Sequence, residues 1–203
     1  MVTPQHKGKN VHTEAQFNFA VADAIDSGDV EVVRQIIRKH PEQRDVFTPF
    51  AGGTWLHYAA GESEPEIVLE LLDLGFPVNA KAKHDGEVAL VRAASAGRPQ
   101  NVKVLLSAGS EIDSSASVRN PLFAAIVGRS ADCVTLILGA GVDATIRYNT
   151  DTMKDMDALA FALMRGEREC AEVIARWMVG DDDDAMTEVL AKADEIADRN
   201  AHA

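Results

Sequence analysis

The chain has 203 residues and a formal net charge of −12, from 32 acidic and 20 basic side chains. That balance disfavours nucleic acid and anionic membrane surfaces, since binding either depends on cationic side chains meeting phosphates. Hydrophobic residues make up 46% of the chain but aromatics only 5%, so the core is built of Ala, Val, Leu and Ile, which suits close-packed helices better than a β-sandwich.

No apolar run approaches the roughly 18 residues of a membrane span. The N-terminus has no apolar stretch resembling a secretion signal. Two cysteines are too few for a disulfide scaffold. A cytoplasmic protein is expected.

Residues 1–13 read as a tail. A first helix pair follows, carrying Val21 and Ala24, a Ser27-Gly28-Asp29 turn, then Val33, Ile36 and Ile37. A second pair carries Leu56 and Ala59, a turn over 61–65, then Val68, Leu71 and Leu72. The third has Leu90, Ala93, a Gly97-Arg98-Pro99 turn, Val102, Leu105 and Leu106. The fourth has Leu122, Ala125, Val134, Ile137 and Leu138, and the fifth Leu159, Ala162, Gly166, Ala171, Ile174 and Ala175.

The five units start 35, 34, 32 and 37 residues apart. Each places alanine three residues after its leading apolar residue, where helices must approach closely. The spacing puts one apolar stripe on each helix of a pair. Proline at 65 and 99 suits the first turn of a second helix. Gly75, Gly109 and Gly141 read as helix stops. A pair this small cannot bury its apolar faces alone, so the pairs must stack.

The unit resembles the ankyrin repeat, with its Thr-Pro-Leu-His-x-Ala signature and period near 33. Thr54-Trp55-Leu56-His57-Tyr58-Ala59-Ala60 matches it apart from tryptophan in the proline slot. Asp85-Gly86, Gly75–Ala80 and Gly141–Ala144 match the family's turns and loops. The resemblance covers about residues 15–178 and implies an all-α solenoid, taken as a domain over residues 14–180. The tetrad is replaced in the third, fourth and fifth units, so the Thr–His hydrogen bond is expected only in the second. The first and fifth units read as terminal caps.

Two connections are long, about Pro41–Thr54 and Ala144–Asp157. The second is a candidate binding loop. Residues 181–203 carry −6, half of the net charge. Their four aspartates lead into a stripe of Met186, Val189, Leu190, Ala193, Ile196 and Ala197, which reads as a C-terminal capping helix.

Chemistry is sparse. His57 reads as a structural partner of Thr54 rather than a base or ligand. Cys133 and Cys170 fall at equivalent positions of adjacent units and read as unpaired, buried thiols. No phosphate loop, GxSxG motif or HExxH spacing is present. No catalytic residue, cofactor or metal is assigned.

The resemblance implies that a partner protein contacts the concave side, at the turn tips and the ends of the first helices. Carried over by position, that face comprises Phe50, Glu62, His84, Asp85, Glu87, Arg119, Val127, Met153, Lys154, Met156, Met164 and Arg165. Apolar anchors beside arginine are what interfaces favour. The alternative for Met153 and Met156 is that they fold inward to pack the long loop. The functional reading is a non-enzymatic protein-binding module, as a monomer or weak homodimer. Its narrower form is an inhibitor or immunity protein covering the active site of a toxin or hydrolase. The competing reading is an enzyme or ligand binder with a site in the concave groove.

Overall fold

A computed structural model describes residues 11–50 and 52–201. Of the tail expected over 1–13, residues 1–10 lie outside the described residues, and helix already runs at Val11. The first pair is α1 (Val11–Asp26) and α2 (Val30–Lys39), and the second α3 (Trp55–Glu62) and α4 (Pro65–Asp73). Then come α5 (Ala89–Ser95) with α6 (Pro99–Ser107), α7 (Pro121–Val127) with α8 (Ala131–Gly139), and α9 (Ala158–Met164) with α10 (Arg168–Val179). A single helix, α11 (Asp183–Ala201), follows.

The pairs stack into two layers. The first helices α1, α3, α5, α7 and α9 neighbour one another in turn, and α2, α4, α6, α8 and α10 do the same. The core lies between the layers and is the expected stripe. Val21, Leu56, Leu90, Leu122 and Leu159 are buried, as are all five alanines at the third position beyond them. In the second helices Ile37 is buried while Ile36 is only partly so. Among the described residues helix α2 has a second-helix neighbour, α4, on one side only, and Ile36 is not fully covered by it. Gly75, Gly109 and Gly141 end their helices at positive φ (87°, 84° and 92°), a conformation that only glycine adopts without a Cβ clash.

Polar side chains tie the units together. Arg34 makes a two-pronged pair with the buried Glu70 carboxylate (2.8 and 2.6 Å), joining α2 to α4. Asn101 at the start of α6 donates to the carbonyls of Ala60 (3.0 Å) and Ser63 (2.8 Å), and Arg98 donates to Gly61, Glu62 and Ser63. Together they satisfy the last carbonyls of α3, which have no partner within their own helix.

Helix α11 packs across α9 and α10, burying Ala193, Ile196 and Ala197 and partly covering Met186, Val189 and Leu190. It closes the C-terminal end of the stack. Asp183 and Asp184 sit in its first turn, where negative charge complements the helix dipole.

Candidate partner-binding face

The sequence left three side chains open to chemistry: His57, Cys133 and Cys170. His57 is fully buried in α3. The Thr54 N–H donates to its Nδ1 (3.1 Å), so Nδ1 carries no proton and Nε2–H donates to the Glu87 carbonyl (3.1 Å). Thr54 and His57 also form a reciprocal capping box. Burial holds the His57 pKa below its usual range, so the ring is a neutral bracket between the second and third units. The fourth and fifth units reach the same end differently: Asn120 accepts from Leu122 N–H (2.9 Å) and Asp157 from Ala160 N–H (2.9 Å).

Cys133 and Cys170 are unpaired and buried. Burial raises both thiols, Cys170 to about 11, which keeps them protonated and poorly nucleophilic. Among the described residues no group of three or more His, Cys, Asp or Glu side chains is placed to hold a metal ion. No described helix is long and apolar enough to cross a membrane.

A groove of about 370 Å³ runs along the first-helix layer of the third to fifth units. Its floor is Val91, Phe123, Ala124 and Phe161; its walls are the turn tips, with Asp85 and Glu87 on one side and Val118 and Met153 among the others. Phe123 and Phe161 stack at 4.9 Å, and Tyr148 meets Phe123 edge-on at 5.0 Å. Arg165 lies over the outer face of Phe161, 5.5 Å from its centroid. Val118 and Val127 project into solvent, 61% and 44% exposed. The arrangement is an apolar trough edged by charge.

Four of the sequence-assigned residues line this groove: Asp85, Glu87, Val127 and Met153. Arg165 flanks it through Phe161, and Met164 is partly buried against the core. Glu87 is not a free carboxylate. It is buried and paired with Arg92, and burial raises its pKa. Arg119 is occupied as well, donating to Asp113 (2.8 Å), to Ser115 Oγ (2.7 Å) and to the Asp85 carbonyl (3.4 Å). Phe50 and Glu62 are exposed on the second unit, and the exposed His84 ring packs over Gly52.

The exposure expected of Met156 does not hold, because this residue is fully buried. The long loop folds back on itself: Tyr148 and Met156 exchange backbone hydrogen bonds (2.9 and 3.1 Å), and this isolated bridge turns Met156 into the core. The inward alternative therefore describes Met156, while Met153 is half-buried at the groove. Lys154 is exposed, with its backbone held by Asn200 of α11, which accepts from Lys154 N–H (2.6 Å) and donates to its carbonyl (2.9 Å).

Phe123, Phe161 and Val118 were not among the positions carried over from the sequence. The first lies one residue and the second two residues beyond the leading leucine of its unit, so they fall in different columns of the repeat. Their aromatic character next to the leading leucines, in a chain with few aromatics, was the available signal.

A family model described as ankyrin repeats, in three copies, matches residues 17–116. The chain carries ankyrin repeats, and its stacked helix pairs continue through the fourth and fifth units in the same order. Ankyrin repeats generally serve as protein–protein interaction modules, and the family is typically non-enzymatic.

Proposed function

We propose that this chain is a non-enzymatic protein-binding module whose partner docks along the first-helix face, with its main anchor in the groove of the third to fifth units. The observation that carries the reading is the Phe123–Phe161 stack under exposed Val118 and Val127, edged by Arg165. Aromatic and arginine groups around a dewetted centre dominate the energetics of protein interfaces. Two unpaired cysteines agree with a reducing compartment such as the cytoplasm.

The narrower reading, a neutraliser covering the active site of a toxin or hydrolase, is one use of such a face. An acidic chain suits a basic target of that kind, although half of its net charge belongs to the α11 segment.

Affinity capture from source lysate tests the proposal, using the full chain and a Val127→Asp/Arg165→Glu variant. A stoichiometric partner lost from the variant supports it. Equal capture by both proteins moves the site elsewhere. A metabolite that raises the melting temperature, with no partner recovered, favours a ligand binder. If the partner is a hydrolase, loss of its activity on binding decides the narrower reading.

A further inference from the structure

The first two units present a second surface that the groove does not use. Phe19 on α1 is 65% exposed and Phe50 is 44% exposed. Their rings meet edge-on at 5.8 Å, and Phe50 tilts against Tyr58 of α3 at 5.9 Å. The three rings form a continuous aromatic shelf across α1 and α3, where a soluble protein ordinarily avoids exposed phenylalanine pairs.

Carboxylates border the shelf. The Tyr58 hydroxyl donates to Asp26 at the end of α1 (2.9 Å). Glu62, exposed at the end of α3, lies one helical turn beyond Tyr58, at i,i+4 on the same face of that helix. Beyond Phe19, Glu14 lines a cavity of about 340 Å³ with Ala15, Asn18, Pro49 and the two phenylalanines. Among the described residues none of Glu14, Asp26 and Glu62 makes an ion pair. Carboxylates elsewhere on this stack do: Glu70 with Arg34, Asp113 with Arg119 and Glu167 with Arg129. The shelf is a place where exposed aromatic faces coincide with negative charge that no ion pair among the described residues neutralises; Arg98, which reaches the Glu62 carbonyl, pairs with the Glu64 carboxylate.

That combination selects its occupant. Aromatic faces attract cations through their quadrupoles. The long stem of lysine or arginine lies along apolar surface while its head reaches a carboxylate. An acidic segment would be repelled by all three carboxylates, and a second copy of this chain brings a net charge of −12.

We propose that the Phe19–Phe50–Tyr58 shelf seats a lysine or arginine side chain of the protein partner, its head against Glu62 and Asp26, with a neighbouring apolar residue of the partner on Phe19. The inference rests on the reading of the first-helix face as the binding face. It adds a cation subsite about two repeats from the groove, roughly 20 Å at ordinary helix spacing.

The test pans a phage-displayed library of random dodecapeptides on the immobilised full chain. Enriched sequences are expected to pair lysine or arginine with a bulky apolar residue. One enriched peptide is then titrated by fluorescence anisotropy against the parent chain and against the Glu62→Lys, Glu62→Gln, Phe50→Ala and Val127→Asp variants. Each variant's melting curve shows whether it folds. Glu62→Lys should weaken binding about tenfold or more, Glu62→Gln less, and Phe50→Ala comparably, with the remaining affinity falling as salt rises. Enrichment of acidic sequences, no enrichment, or unchanged affinity for folded Glu62→Lys overturns the cation subsite. Binding lost only in Val127→Asp overturns the subsite and leaves the groove standing.

Discussion

Gly97 and Gly128 approach so closely that neither position has room for a side chain. A Cβ on Gly97 would lie 2.7 Å from the Gly128 carbonyl oxygen. One on Gly128 would lie 2.8 Å from Gly97 N and 2.3 Å from the Ala94 carbonyl oxygen. The turn of the third unit is thereby pressed directly onto the end of α7, and this contact sets the spacing of the third and fourth units, two of the three that floor the groove.

Gly128→Ala should therefore cost about 1–3 kcal/mol, the range for overpacking a fixed backbone. Gly97→Ala should cost more than Gly28→Ala. Both glycines have positive φ (66° and 70°), but a Cβ on Gly28 meets nothing within 4 Å. Arg129 occupies the equivalent position of the fourth unit at φ 56°, so Arg129→Gly should hold or raise stability. Urea unfolding of the four variants checks the order. Equal losses at Gly28 and Gly97 would show that φ strain, not contact, decides.

How the groove reads from the sequence follows from the same geometry. Repetition exposed what repeats: the leading leucines, the alanines and the second-helix stripe all lie where periodicity puts them. Phe123 and Phe161 were missed because each is a single substitution in a non-repeating column, and only stacking of adjacent units brings their rings to 4.9 Å. The burial of Met156 depends on a pairing with Tyr148 eight residues away, set by loop closure rather than by repeat register. Arg119 and Glu87 have suitable chemistry, but their nearest opposite charges, Asp113 and Arg92, come from the chain itself.

Asn101 is a second point of rigidity between units. Its Nδ2 serves two carbonyls at the end of α3, and the residue is buried. Asn101→Leu keeps the volume but leaves both carbonyls with fewer partners in a site closed to water. A loss of about 1–3 kcal/mol is expected. A neutral result in thermal melting would mean that Arg98 alone suffices for the cap.

The C-terminal helix does more than close the stack. Asn200 grips both backbone groups of Lys154 and also donates to Ile196 O (2.8 Å), so the end of α11 braces the loop that carries Met153. Asn200→Ala should leave the global melting temperature within a few degrees, since the site is exposed and one such bond contributes about 1 kcal/mol. Amide exchange at Lys154 should accelerate, with little change at α7. Unchanged exchange at Lys154 would show that the Tyr148–Met156 bridge holds the loop unaided.

His57 makes folding sensitive to pH in a defined direction. Burial lowers its pKa in the folded state, and protonating Nδ1 would break the bond from Thr54 N–H. The unfolded chain therefore binds more protons wherever the two states differ. The stability His57 contributes is fully present above its unfolded pKa of about 6.5 and is lost as the pH falls from there. Glu87 acts with the opposite sign. Burial raises its pKa, so its contribution is greatest below about 4.5 and declines as the pH rises through its folded value. Between about pH 7 and 5.5 the slope of stability against pH should drop in His57→Gln by up to one proton, about 1.4 kcal/mol per pH unit. Urea titrations of both proteins across that window measure it. A slope unchanged by the substitution would mean that the ring titrates alike folded and unfolded, and that its hydrogen bonds to Thr54 and Glu87 do not hold it neutral.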